Sequence, residues 1–161
     1  MIKSIRISVA SALLVMSNVS VAQESSLGVK DLPKLTQESQ HVASAKRVSS
    51  QFLRAHYKQI DLDDDLSVKI YDRFIRSLDF NHNIFTAGDI QGFSAYNDKF
   101  DDAIERGNLS IAYEIYQINL QRRAQRFEYA LTLLDKEFNF ELVNDKFIYD
   151  REDAAWAKDT K

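Results

Sequence analysis

Four glycines and one proline are all that this 161-residue chain offers to bend or break its backbone. That scarcity constrains the fold more than any other feature. A protein of many short strands needs a turn about every ten residues, and tight turns draw on glycine and proline. Long helices need few. The sequence therefore predicts a mainly α fold, a bundle-like domain of about four helices followed by a short β-hairpin or extended C-terminal tail.

Apolar spacing places the helices. Val42, Ala45, Val48, Phe52 and Ala55 recur at steps of three and four, so a first helix is expected from about Thr36 to Lys58, with Thr36, Glu38 and Ser39 at its start. A second follows Asp61-Leu62-Asp63-Asp64-Asp65, with Leu66, Ile70, Phe74 and Leu78 on one face and Tyr71 and Ile75 widening it. The aspartates stand where carboxylates accept unpaired backbone N–H groups and meet the positive end of the helix dipole. Phe80-Asn81-His82-Asn83 interrupts the period as a turn. Thr86-Ala87-Gly88-Asp89 has the form of a capping box and opens a third helix through Ile90, Phe93, Tyr96, Phe100 and Ile104. Gly107-Asn108 ends it as a left-handed cap would. The fourth and longest runs from about Ser110 to Leu134 through Ile111, Ile115, Ile118, Ala124, Phe127 and Leu131. Beyond Lys136, Phe138, Phe140 and Leu142 alternate with polar residues, as do Phe147 and Tyr149, with Asn144-Asp145 between the two runs.

The N-terminus has a different pattern. Lys3 and Arg6 precede an apolar, uncharged run from Ile7 to Met16, and Ser20-Val21-Ala22 puts small residues where a signal peptidase reads. The run is too short for a membrane span, which needs roughly 20 apolar residues. Residues 1–22 are expected to be a signal peptide cleaved after Ala22, residues 23–35 a flexible lead-in, and residues 36–161 the helical domain. The chain contains no cysteine. It thus offers neither a thiol for lipid attachment nor a disulfide, and its stability in an oxidising compartment must rest on packing alone.

Composition excludes some functions. Twenty-four acidic side chains against 21 basic ones give a formal charge of −3. Loss of the leader removes Lys3 and Arg6 and makes the chain more acidic still, unlike the basic field of a nucleic-acid binder. Asp61, Asp63 and Asp65 match the first three ligand positions of a calcium-binding loop. However, Leu66 stands where such a loop turns on glycine, and Asp72 where it closes on glutamate. Helix capping accounts for the aspartates better. The three histidines, His41, His56 and His82, show no His-x-x-x-His spacing, so neither metal nor cofactor is expected. No serine lies in a Gly-x-Ser-x-Gly elbow and no glycine-rich phosphate loop exists, so no catalytic residue is assigned. Arg122, Arg123 and Arg126, with Tyr116 and Tyr129 nearby, form a basic cluster. It is either a docking surface or a solvated face paired to acids such as Glu114 and Glu128.

A family pattern runs through the same residues. His56-Tyr57, Ile70-Tyr71-Asp72-Arg73-Phe74, Leu78-Asp79-Phe80, His82-Asn83, Phe85 and Asp89-Ile90 occur in order. Gly107-Asn108-Leu109, Tyr113-Glu114-Ile115-Tyr116, Arg123, Phe138 to Phe140, Asp150-Arg151 and Ala155-Trp156 then follow. Over roughly residues 42–159 this set resembles the N-terminal helical domain of the tail-specific, or C-terminal processing, serine proteases of the bacterial periplasm. The resemblance implies a PDZ domain and a serine–lysine protease core after the helical domain, acting on the C-termini of exported proteins. It puts the PDZ domain and both catalytic residues beyond Lys161, so the chain is expected to stop short of the domain's C-terminal end. Two readings stay open: a non-catalytic N-terminal domain or fragment that scaffolds the core and helps dock substrate or adaptor, or a free-standing periplasmic binding module that reuses the domain.

Overall fold

The computed structural model describes residues 29–137, 141 and 146–160. The expected signal peptide, with Ser20 and Ala22, lies outside them, as do Phe138 to Phe140 and Leu142 to Asp145 of the expected hairpin. Among the described residues the chain forms five α-helices: α1 (Ser39–Ala55), α2 (Asp64–Leu78), α3 (Ala87–Phe93), α4 (Phe100–Arg106) and α5 (Ser110–Leu134). Short 3-10 turns occupy Val29–Asp31 and Ser94–Tyr96. Residues 29–35, part of the expected lead-in, are tied to α5. The Val29 N–H donates to Glu128 Oε1 at 2.9 Å and the Leu35 N–H to Gln117 Oε1 at 3.0 Å.

The expected third helix is two helices, and the reason is a tertiary one. The apolar spacing of Phe93, Tyr96 and Phe100 runs on through a break at residues 94–99. Lys99, at the N-terminus of α4, gives it no side-chain cap. The cap comes from α2, where fully buried Ser67 accepts the Phe100 N–H at 2.7 Å and donates to the Asn97 carbonyl at 3.0 Å. One hydroxyl thus satisfies both sides of the break, and its burial without loss of a hydrogen bond fixes α2 against α4.

The core gathers Tyr71 and Ile75 of α2, Phe85, Phe93 of α3, Phe100 of α4 and Ile115 of α5. Phe85 meets Phe93 edge-on at 5.2 Å between ring centroids, and Phe100 lies 6.0 Å from Tyr71. These are the offset geometries that aromatic quadrupoles favour. The face of α2 is rotated from its expected centre: Tyr71 and Ile75 are buried, while Leu66, Ile70, Phe74 and Leu78 are half-covered. The stripe of α1 meets the domain only at its N-terminal half. Val42 and Ala45 are partly covered, but Val48 is 67% exposed, and no residue of the helix is fully buried. The last turns of α5 are likewise uncovered at Phe127, Leu131 and Leu134.

The caps follow the expectations. Asp63 accepts the Leu66 N–H at 2.9 Å, so this aspartate does the work of an N-cap. Thr86 and Asp89 form a reciprocal capping box at the start of α3. Gly107 ends α4 at φ 70°. Its peptide neighbours are held by the Gln37 amide, which donates to the Gly107 carbonyl and accepts the Leu109 N–H at 2.7 Å. A Cβ at Gly107 would lie 2.8 Å from Val42 Cγ1. Left-handed backbone strain and this clash act together, so Gly107→Ala should destabilise the chain by about 2 kcal/mol and loosen α1, read as a lower urea midpoint.

Candidate functional site

A heavily bonded carboxylate stands at the wrong end of a helix. Asp79 follows the last residue of α2, where backbone carbonyls make the environment negative, yet it is only 2% exposed. It is held there by four donors. Oδ1 accepts the Asn83 N–H at 2.8 Å and the Ile84 N–H at 3.1 Å; Oδ2 accepts the Phe85 N–H at 3.0 Å and the Trp156 Nε1–H at 3.1 Å. The first three fold residues 79–85 into a tight loop around the carboxylate. The fourth comes from the C-terminal segment and keys it to the loop.

His82 completes the socket. It adopts φ 50°, the left-handed conformation that the tight loop imposes. Its ring stacks on Trp156 with centroids 3.7 Å apart, and its Nδ1–H donates to the Ala154 carbonyl. One residue further on, the Ala157 carbonyl accepts the Ala87 N–H at 2.8 Å, in a parallel bridge between Thr86 and Ala157. Arg76 of α2 pairs with Glu152. Residues 152–157 are thereby fixed across α2, the 79–85 loop and the start of α3. Of the two forms expected for the tail, extended and irregular is what its described residues adopt.

The arginine cluster separates into two roles. Arg122 reaches Asp89 with two bonds, Nε to Oδ2 at 2.7 Å and Nη2 to Oδ1 at 2.8 Å. Burial by itself would raise the Asp89 carboxyl, but hydrogen bonds from Arg122 and Thr86 outweigh it and hold the group below the ordinary carboxylate range. Arg123 donates to Asn119 Oδ1 at 2.7 Å and to the Leu78 carbonyl at 3.0 Å, satisfying the C-terminus of α2. Both arginines hold helices together. The acids offered in advance as partners are engaged otherwise: Glu114 accepts the Tyr96 hydroxyl and Glu128 the Val29 N–H. Arg126 is exposed and has no counter-ion among the described residues. It stands at the junction of two surface grooves, of about 630 Å³ and about 510 Å³, that also share Ala157.

Among the described residues no serine or threonine hydroxyl meets a histidine or lysine side chain, and no cluster of three or more potential ligands could hold a metal ion. His41 accepts from the Glu38 N–H and engages the Tyr113 hydroxyl at 2.7 Å, while His56 turns back on Lys58 at the far end of α1. No described helix is long and apolar enough to cross a membrane.

The family model described as tail specific protease N-terminal domain matches residues 48–161. The chain belongs to that family. The tail-specific protease of Haemophilus influenzae is 43% identical to it over 125 residues, which make up 77% of this chain and 18% of that protein. The tail-specific protease N-terminal domain described here therefore spans less than a fifth of that relative. Its Asp79–Trp156 key joins two segments of the resemblance, Leu78-Asp79-Phe80 and Ala155-Trp156, that are 77 residues apart.

Asp79 and Ser67 carry tertiary roles that no spacing rule assigns in advance. A faint signal did exist for Asp79. An aspartate at the C-terminal end of a helix is disfavoured by the dipole unless nearby N–H groups receive it. Asp79→Ala should cost at least about 3 kcal/mol, because it strands buried donors. The sole tryptophan reports the event: its emission should shift red in the folded variant as the segment lifts. Asp89 behaves differently with pH. The unfolded chain takes up its proton before the folded one does, so the Arg122 pair stabilises above about pH 4 and loses its effect as pH falls below that. The stability gap between the native chain and Asp89→Asn should accordingly shrink between pH 6 and pH 3 in thermal melts.

Proposed function

We propose that this chain is the non-catalytic N-terminal domain of a periplasmic tail-specific serine protease, where it scaffolds the protease core and helps to dock substrate or adaptor. Family membership supports the protease context. The scaffolding half rests on one observation, the fixing of residues 152–157 by Trp156, Ala157 and Glu152. A polypeptide attached beyond such a segment leaves in a set direction, whereas one attached to a loose tail does not. Export follows from the leader: cleavage after Ala22 would deliver the domain, together with whatever it is joined to, into the periplasm.

The uncovered half of α1 and the last turn of α5, bare at Leu131 and Leu134, fit the same role. Apolar surface of this kind is what a domain presents when its neighbours are other parts of a larger protein. The PDZ domain and the serine–lysine dyad that the resemblance implies would supply recognition and cleavage. The helical domain would supply neither.

An immunoblot of a periplasmic extract, with an antibody raised against residues 36–137, tests this directly. The expected result is a species much larger than this chain whose N-terminal peptide begins at Gln23. A stable species at the processed size of this chain would instead establish the free-standing binding module.

A further inference from the structure

The grooves that meet at Arg126 form a surface whose chemistry is specific. Phe127 lines one groove and is 61% exposed, while Phe147 and Tyr149 line the other and are 90% and 86% exposed. One groove runs between α5 and Ile84, with Ala157 and Thr160 on its far wall. The other runs between the Asn81–Asn83 turn and the extended residues Lys146 to Tyr149. Arg126, Lys146 and Arg151 line this surface and form no ion pair with a described residue, while Asp159 lines the α5 groove as its carboxylate. The neighbouring Arg122 and Arg123 are engaged with Asp89, Asn119 and the Leu78 carbonyl, so they add little to the charge of this patch.

We propose that this surface binds an acidic segment of a partner protein, extended and carrying aromatic or aliphatic side chains. The inference deepens the docking half of the function proposed above and rests on it. Charge complementarity selects the occupant: Arg126, Lys146 and Arg151 outweigh the carboxylate of Asp159 and attract a short run of carboxylates at close range, within a chain of net charge −3. The same net charge opposes a long polyanion. The shape selects further. Two grooves of about 510 and 630 Å³ accept individual side chains, and a flat anionic lipid surface would leave Ile84 and Ala157 uncovered at their walls. Apolar side chains seated in the grooves would cover Phe127 and Phe147, while carboxylates between them reach Arg126 and Lys146.

The test uses the full chain and two fluorescein-labelled peptides of about ten residues, one alternating glutamate with phenylalanine and one alternating lysine with phenylalanine. Fluorescence anisotropy should show binding of the glutamate peptide alone, weakened about tenfold by Arg126→Glu and again by Lys146→Glu, and weakened by salt. Both residues are exposed, and circular dichroism should show both variants folded. Equal binding of the two peptides, no binding, or affinity unchanged by either variant would overturn the proposal. Binding to phosphatidylglycerol vesicles that Arg126→Glu abolishes, with the glutamate peptide ignored, would overturn it in favour of a membrane surface. Self-association of the chain that the same variant abolishes would overturn it in favour of a second copy. None of these outcomes bears on the immunoblot, so failure here is distinct from failure of the protease reading.

Discussion

A carboxylate buried behind the C-terminus of a helix is an electrostatic liability, and this domain is organised around resolving one. Asp79 sits where the α2 carbonyls repel it, and three backbone N–H groups and an indole converge to hold it. The loop that brings those amides in also places Phe85 in the core and leads directly into the Thr86 capping box. The same carboxylate thus positions α3 relative to α2 and gives the C-terminal segment something to bind. Removing it would leave unpaired donors on both sides of a loop that has no disulfide to fall back on.

Around that centre the polar groups act as connectors between helices. Ser67 of α2 caps α4, Asn119 and Arg123 of α5 close the end of α2, and Arg122 of α5 holds the first turn of α3 through Asp89. Each connection satisfies a backbone or carboxylate group at a helix end, where unpaired groups are concentrated. Among the described residues, a small core of seven buried apolar side chains can therefore support five helices. What the connectors do not reach stays open: the second half of α1, the last turns of α5, and the stretch from Phe147 to Tyr149. Those open faces give the domain surface to offer a neighbour.

The helices themselves were legible because their causes are local. α5 begins and ends where its apolar period does, Gly107 takes the left-handed cap, and Asp63 and Thr86 cap the helices they precede. The division of the expected third helix was not legible, since the hydroxyl that caps α4 belongs to Ser67, more than thirty residues away. Nor was the division of labour among Arg122, Arg123 and Arg126. Three arginines within five positions of one helix look alike in a sequence, and only the elements packed beside them decide which are bound and which are free.

The sequence by itself determined the fold class, the local caps at Asp63, Thr86 and Gly107, and the family, because scarce glycine and proline, apolar period and short-range hydrogen bonding act within a few residues along the chain. Tertiary structure alone decided that Asp79 and Trp156 meet, that the face of α2 turns toward Tyr71 and Ile75, and that Arg126 finds no counter-ion among the described residues. These outcomes depend on which helix lies against which, and burial and charge compensation act across space, without regard to distance along the chain.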